Sequence, residues 1–222
     1  MSSAALGIFG GTFDPIHVGH LRGAIDCREL LDLEQVQFLP AALPPLKATP
    51  GVSAEHRAAM VEIAIADLPG FSVDRREIDR PGVSYTIDTV REIRREAGVA
   101  KPLVFIMGLD SLGTLHRWRN WQDLLTMVNI AVIKRPGYTA SVDPEVSRWL
   151  DAHSVSATQL LHHPEGGVAI LEQPGLEVSS TAVRAAMGVG RMPRFLLPEP
   201  VLEYIERHGL YRPPSSSPRT NQ

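Results

Sequence analysis

Short apolar or β-branched runs alternate along the chain with stretches whose apolar residues recur at helical spacing. A strand is predicted from Ala5 to Phe9, then a turn-rich stretch, Gly10-Gly11-Thr12-Phe13-Asp14-Pro15, then a helix from about Val18 to Leu31. Val36 to Leu39 reads as a second strand that stops at Pro40. After a Pro44-Pro45 loop, Ser53 is placed to cap a helix that carries Met60, Ile63 and Ala64 on one face. Phe71-Ser72-Val73-Asp74 begins a third strand, and Ser84 or Thr86 is placed to cap the helix through Val90, Ile93 and Arg94. Leu103 to Met107 is an apolar strand ending at Gly108, and Asn129 to Ile133 repeats that arrangement before Arg135-Pro136-Gly137. A last strand, Val168 to Leu171, leads through Pro174-Gly175 to two short helices, Thr181 to Met187 and Pro198 to His208.

Strands that alternate with helices feed a parallel sheet through βαβ units. The expected fold is therefore α/β: a Rossmann-like, doubly wound, mainly parallel sheet with helices on both faces and a small C-terminal helical part. A ligand is expected across the carboxyl ends of the strands finishing at Phe9 and Met107, where open α/β sheets bind. A chain of 222 residues accommodates one main domain of this kind, expected over 1–212. The tail 213–222, PPSSSPRTNQ, lacks apolar residues and is expected to be disordered. With 44% hydrophobic and 21% charged residues and no run of eighteen apolar positions, the sequence describes a protein that stays in water. The start, MSSAALGIFGG, lacks the basic segment of a secretory signal, and the single cysteine, Cys27, excludes an internal disulfide; both fit the cytoplasm. Cys27 reads as core packing. A net charge of −3 argues against broad binding to nucleic acid, and the assembly state stays open between monomer and homo-oligomer.

The chemistry concentrates in two places. GIFGGTFDPIHVGH, at positions 7–20, puts His17 and His20 at a helix opening, three residues apart and so on one face. A helix N-terminus offers free N–H groups and the positive end of its dipole, so a phosphate placed there meets donors from backbone and imidazole together. Gly10 and Gly11 would let a ligand approach without a Cβ in the way. Taken alone, a histidine is usually structural and a double glycine usually a turn; the ordered combination is narrower than either. A zinc site fits less well, because helical ligand pairs more often use i, i+4 spacing. Far along the chain, Val178-Ser179-Ser180-Thr181-Ala182-Val183-Arg184 sets hydroxyls at a second helix opening with Arg184 one turn in. Such hydroxyls are usually only caps, yet with an arginine they also make a polyphosphate clamp.

GGTFDPIHVGH resembles the T/HxGH motif of the adenylyl- and cytidylyltransferase superfamily, and VSSTAVR resembles its ISxTxxR motif. Further matches follow in order: Pro44-Pro45 with Lys47, Ser84-Tyr85-Thr86, Gly108-Leu109-Asp110-Ser111, Trp118, Arg135-Pro136-Gly137-Tyr138 and LLPEPVLEYIERHGLY at 196–211. This ordered set, spanning Leu6 to Arg212, resembles the nicotinate-nucleotide adenylyltransferase family. The resemblance implies transfer of AMP from ATP to nicotinate mononucleotide, giving deamido-NAD and pyrophosphate, with Mg²⁺ accompanying ATP and no protein metal site. It implies that His17, His20 and Arg184 are catalytic. Gly10, Gly11, Thr12, Lys47, Gly108, Asp110, Ser180 and Thr181 are then expected to bind ATP, and Phe13, Thr86, Trp118, Arg119 and Arg135 the nicotinate nucleotide. Many family members carry a histidine between the Pro-Pro pair and the lysine, where this chain has Leu46. Two alternatives stand beside this reading: a nucleotidyltransferase with another acceptor, such as nicotinamide mononucleotide or phosphopantetheine, and a nucleotide-binding module without turnover.

Overall fold

In the computed structural model, residues 4–43, 50–134, 141–172 and 176–212 are described. Lys47, Arg135, the Pro44-Pro45 pair, Pro174-Gly175 and the tail 213–222 lie outside them. Six strands, β1 (Leu6–Gly11), β2 (Gln35–Pro40), β3 (Phe71–Val73), β4 (Leu103–Gly108), β5 (Asn129–Lys134) and β6 (Val168–Glu172), form one sheet in the order β3-β2-β1-β4-β5-β6. Every pairing is parallel. The winding direction reverses between β1 and β4, the position at which doubly wound sheets open a crevice for ligands.

Parallel strands need both faces covered, and the helices divide accordingly. One face buries Phe9, Val36 and Phe38 against Cys27 of α1 (Val18–Leu30), Met60 and Val61 of α2 (Ala54–Ile65), Val183 of α7 (Ser180–Gly188), and Leu202 and Ile205 of α8 (Glu199–His208). The other buries Ile8, Leu103 and Phe105 against Ile87, Val90 and Ile93 of α4 (Thr86–Ala97) and Val146 of α6 (Pro144–His153). Each such side chain contributes about 1.5–3 kcal/mol when fully buried, so these contacts fix where the helix openings fall. Arg94 anchors the other end of α4, donating to the carbonyls of Met127, Gly98, Lys101 and Pro164.

The structure departs from the sequence reading in four respects. Gly10 and Gly11 are the last rungs of β1, paired with Leu39 and Pro40, so the turn begins only at Thr12. Neither Ser84 nor Thr86 caps α4: its N-cap is Tyr85, without a side-chain bond, because the Ser84 hydroxyl donates to the Glu77 carbonyl at 3.3 Å. A short helix α3 (Arg76–Asp79) precedes that loop, and another, α5 (Leu109–Leu112), follows β4. Helix α6 was not anticipated either, although Asp143 caps it by accepting from the Glu145 amide at 2.8 Å and Pro144 occupies its first turn. The predicted Ser53 cap is present, accepting from the His56 amide at 3.3 Å. Among the described residues, no helix is long and apolar enough to cross a membrane.

Candidate active site

Helix α1 opens at the carboxyl end of β1, and His17 is its N-cap: Nδ1 accepts from the His20 amide at 3.3 Å. A ring nitrogen that accepts carries no proton, so the neutral imidazole of His17 holds its proton on Nε2. His17 is 1% exposed; His20, half-buried, stacks on it with ring centroids 3.7 Å apart and meets Phe13 edge-on at 5.1 Å. The Phe13 ring is itself buried in the core, so this residue can reach a ligand only through its main chain. The glycines answer first to neighbouring aromatic rings: a Cβ on Gly10 would come within 2.7 Å of the Phe105 ring, and one on Gly11 within 2.7 Å of the Phe13 ring. Gly108 similarly leaves room for the Asp110 carboxylate, which would stand 2.5 Å from its Cβ.

The second hydroxyl-rich helix opening docks directly onto this turn. Ser179 caps α7 by accepting from the Ala182 amide at 3.1 Å. Ser180 Oγ donates to the Pro15 carbonyl at 3.0 Å, and Arg184 donates to the Asp14 carbonyl at 2.7 Å. Thr181 is exposed, with Oγ1 3.4 Å from the Arg184 guanidinium. The buried Asp14 carboxylate lies 3.7 Å from Arg184 and accepts a 2.6 Å bond from the Tyr211 hydroxyl. Burial and that carboxylate keep the Tyr211 proton far above the usual range, which secures Tyr211 as the donor.

A cavity of about 580 Å³ opens beside this arrangement, lined by Gly10, Gly11 and Thr12 on one side and by Thr86, Asp110 and Trp118 on the other. Trp118 is half-buried and meets Phe105 edge-on at 6.2 Å. Arg117 and Arg119 bring positive charge to the wall; the Arg119 guanidinium lies 4.8 Å over the Tyr85 ring and 3.9 Å from Asp88. Glu77, 6% exposed, also borders the cavity, accepting from Thr89 Oγ1 at 2.8 Å. Burial raises its pKa, opposed by the Thr89 bond and by Arg80. Arg80 donates to Ser84, Thr89 and Glu92, tying α3 to α4. Among the described residues, no cluster of three or more His, Cys, Asp or Glu could hold a metal ion.

The cytidylyltransferase-like family model matches residues 8–186. A probable nicotinate-nucleotide adenylyltransferase of Aeromonas hydrophila is 44% identical over 214 residues, covering 96% of this chain and 100% of the relative. The chain belongs to the nicotinate-nucleotide adenylyltransferase family. A second probable member of that family, from Serratia proteamaculans, is 46% identical over 207 residues, 92% of this chain and 94% of the relative. The fold agrees: the Plasmodium falciparum nicotinic acid mononucleotide adenylyltransferase complexed with NaAD superposes with a TM-score of 0.71 at 16% identity, covering 94% of this chain and 97% of that one.

The structure thus places His17, His20, Ser180, Thr181 and Arg184 around one turn, and Gly10, Gly11, Thr12, Thr86, Asp110, Trp118 and Arg119 around the adjoining cavity. The sequence reading gave no role to Asp14, Arg57, Glu77, Arg80 or Tyr211. Asp14 and Tyr211 stand within the matched runs at 10–20 and 196–211, but they meet each other across 197 residues, and Arg57 meets Thr12 across 45.

Proposed function

We propose that this chain transfers the AMP of ATP to the 5′-phosphate of nicotinate mononucleotide. One observation carries the reading: two phosphate-type helix openings, more than 160 residues apart in sequence, dock on a single turn at the rim of a cavity whose far wall bears arginines and a tryptophan. A phosphate oxygen of the acceptor attacks the α-phosphorus of ATP, the bond to the bridging oxygen breaks, and pyrophosphate leaves. Such a transfer asks for positioning and charge stabilisation, with no side-chain nucleophile. His20, the more accessible imidazole, stabilises charge on the α-phosphate, while buried His17 orders the start of α1 beneath it. Arg184 with Ser180 and Thr181 holds the β- and γ-phosphates, and Lys47, outside the described residues, adds charge there. Asp110 accepts from a ribose, with Gly10, Gly11, Thr12 and Gly108 forming the wall behind the nucleotide. Trp118 stacks on the pyridine ring, and the free amides at Thr86, opening α4, and at Arg119 receive its carboxylate. The main chain of Phe13 and the side chain of Arg135, the latter outside the described residues, complete the acceptor site.

Mg²⁺ would accompany the triphosphate and neutralise part of its charge. Cys27, the single cysteine, is a buried thiol, which suits a reducing cytoplasm, where we place the enzyme. The test is pyrophosphate release from ATP and Mg²⁺ with nicotinate mononucleotide or nicotinamide mononucleotide as acceptor. Strong turnover with the acid and little with the amide supports the assignment; turnover with neither overturns it.

A further inference from the structure

Resting on that reading, we propose that Arg57 is a positioning residue for the transfer, joining the turn after β1 to the segment after β2 and aiming their main-chain amides at the phosphates. Arg57 sits on α2 with none of its surface exposed, at the head of the fully buried side chains ordered by size. An isolated buried charge costs several kcal/mol, and an apolar side chain of similar size would fill the space at lower cost, so a packing role alone accounts poorly for a guanidinium here. Its partners are two carbonyls: one terminal nitrogen donates to Thr12 at 2.6 Å and the other to Ala42 at 2.7 Å. The Ala41 amide adds a third tie, donating to the Gly11 carbonyl at 2.9 Å.

The direction of these bonds matters more than their number. In a trans peptide the C=O and the following N–H point in opposite directions. Drawing the Thr12 and Ala42 carbonyls toward α2 therefore turns the amides of Phe13 and Leu43 away from α2. Met60 and Val61 pack α2 on one face of the sheet, whereas the cavity is bordered by Leu39, Phe105 and Leu124 from the core of the other face. Thr12, Ala41 and Leu43 line that cavity, so the two amides turned from α2 belong to segments that wall it, while the two carbonyl dipoles, which would repel a triphosphate, are engaged by the guanidinium. The carboxylate whose charge acts on Arg57 is that of Asp14, which Arg184 and Tyr211 also engage.

Arg57→Lys and Arg57→Met separate positioning from simple support of the fold. Lysine keeps the charge but cannot reach two carbonyls in a planar fork; methionine removes both charge and donors. Calorimetric titration with ATP and Mg²⁺ reads two independent quantities, since stoichiometry reports the folded fraction and Kd the geometry of the site. For Arg57→Lys we expect one site per chain, a Kd raised about tenfold, and kcat lowered tenfold or more; Arg57→Met exceeds both changes where it folds. An unchanged Kd and kcat per folded molecule in Arg57→Lys, with only stoichiometry or melting temperature reduced, would overturn the proposal. Turnover by the unaltered enzyme tests the adenylyl-transfer reading separately, because the Kd comparison needs no acceptor.

Discussion

The two ends of the site are built differently. At the phosphate end, between the openings of α1 and α7, side chains bind main-chain atoms at short range: His17 to the His20 amide, Ser180 to the Pro15 carbonyl, Arg184 to the Asp14 carbonyl and Arg57 to Thr12 and Ala42. Groups already held in place need little reorganisation when charge builds on a phosphate, which is the condition for electrostatic stabilisation. At the acceptor end, Trp118 is half-buried and the Arg119 side chain is 58% exposed, while order comes from behind through the Glu77, Thr89 and Arg80 network. Shape and ring contact dominate there, with the fixed elements one layer back. The rigid end is thus suited to accelerating the transfer and the aromatic end to choosing the acceptor.

The contrast is broken most strongly at His20. His20→Ala is expected to lower kcat by about 100- to 1,000-fold, the usual cost of removing one preorganised donor, while leaving the melting temperature close to that of the unaltered chain. Steady-state kinetics alongside thermal unfolding checks it; an unchanged kcat would remove the imidazole from the chemistry. A smaller effect of a different kind is expected at Trp118. Trp118→Ala should raise KM for nicotinate mononucleotide about tenfold, within the range of base–aromatic stacking, and leave KM for ATP within about twofold. Equal rises in both would mean that Trp118 serves the fold and not the acceptor.

The smallest effect concerns Glu77 and stability. Its folded-state pKa is raised, chiefly by burial, so the folded protein favours the protonated carboxyl. Native stability is then undiminished below the ordinary value of 4.5 and falls as pH rises from there through the raised folded value. Glu77→Gln, which keeps the shape without the charge, should gain melting temperature relative to the unaltered chain as pH climbs through that window, with the difference level above it. A difference that is flat across the window would place the Glu77 charge in balance with Arg80.

These distinctions were unevenly legible in the sequence. The β1–α1 junction could be read because its glycines and histidine pair are contiguous, and the hydroxyl run that opens α7 for the same reason. Glycine at 10 and 11 suggested a turn, but the reason for it lies in the rings of Phe105 and Phe13, which only the folded chain brings near. Ser84 looked like a cap, yet its hydroxyl is engaged by Glu77 seven residues earlier. Arg57 sits on a helix where a charged residue would ordinarily read as solvated, and its partners are 45 and 15 residues away. Helix α6 carries a local signal in Asp143 followed by Pro144.

Whether two distant helix openings hold one triphosphate is decided by a double-mutant cycle on His20→Ala and Arg184→Ala. Groups that share a ligand lose part of the same stabilisation when either is removed. The loss in kcat/KM for ATP in the double variant is expected to fall short of the product of the two single losses by fivefold or more. Full multiplicativity would contradict it and assign the two residues to separate sites.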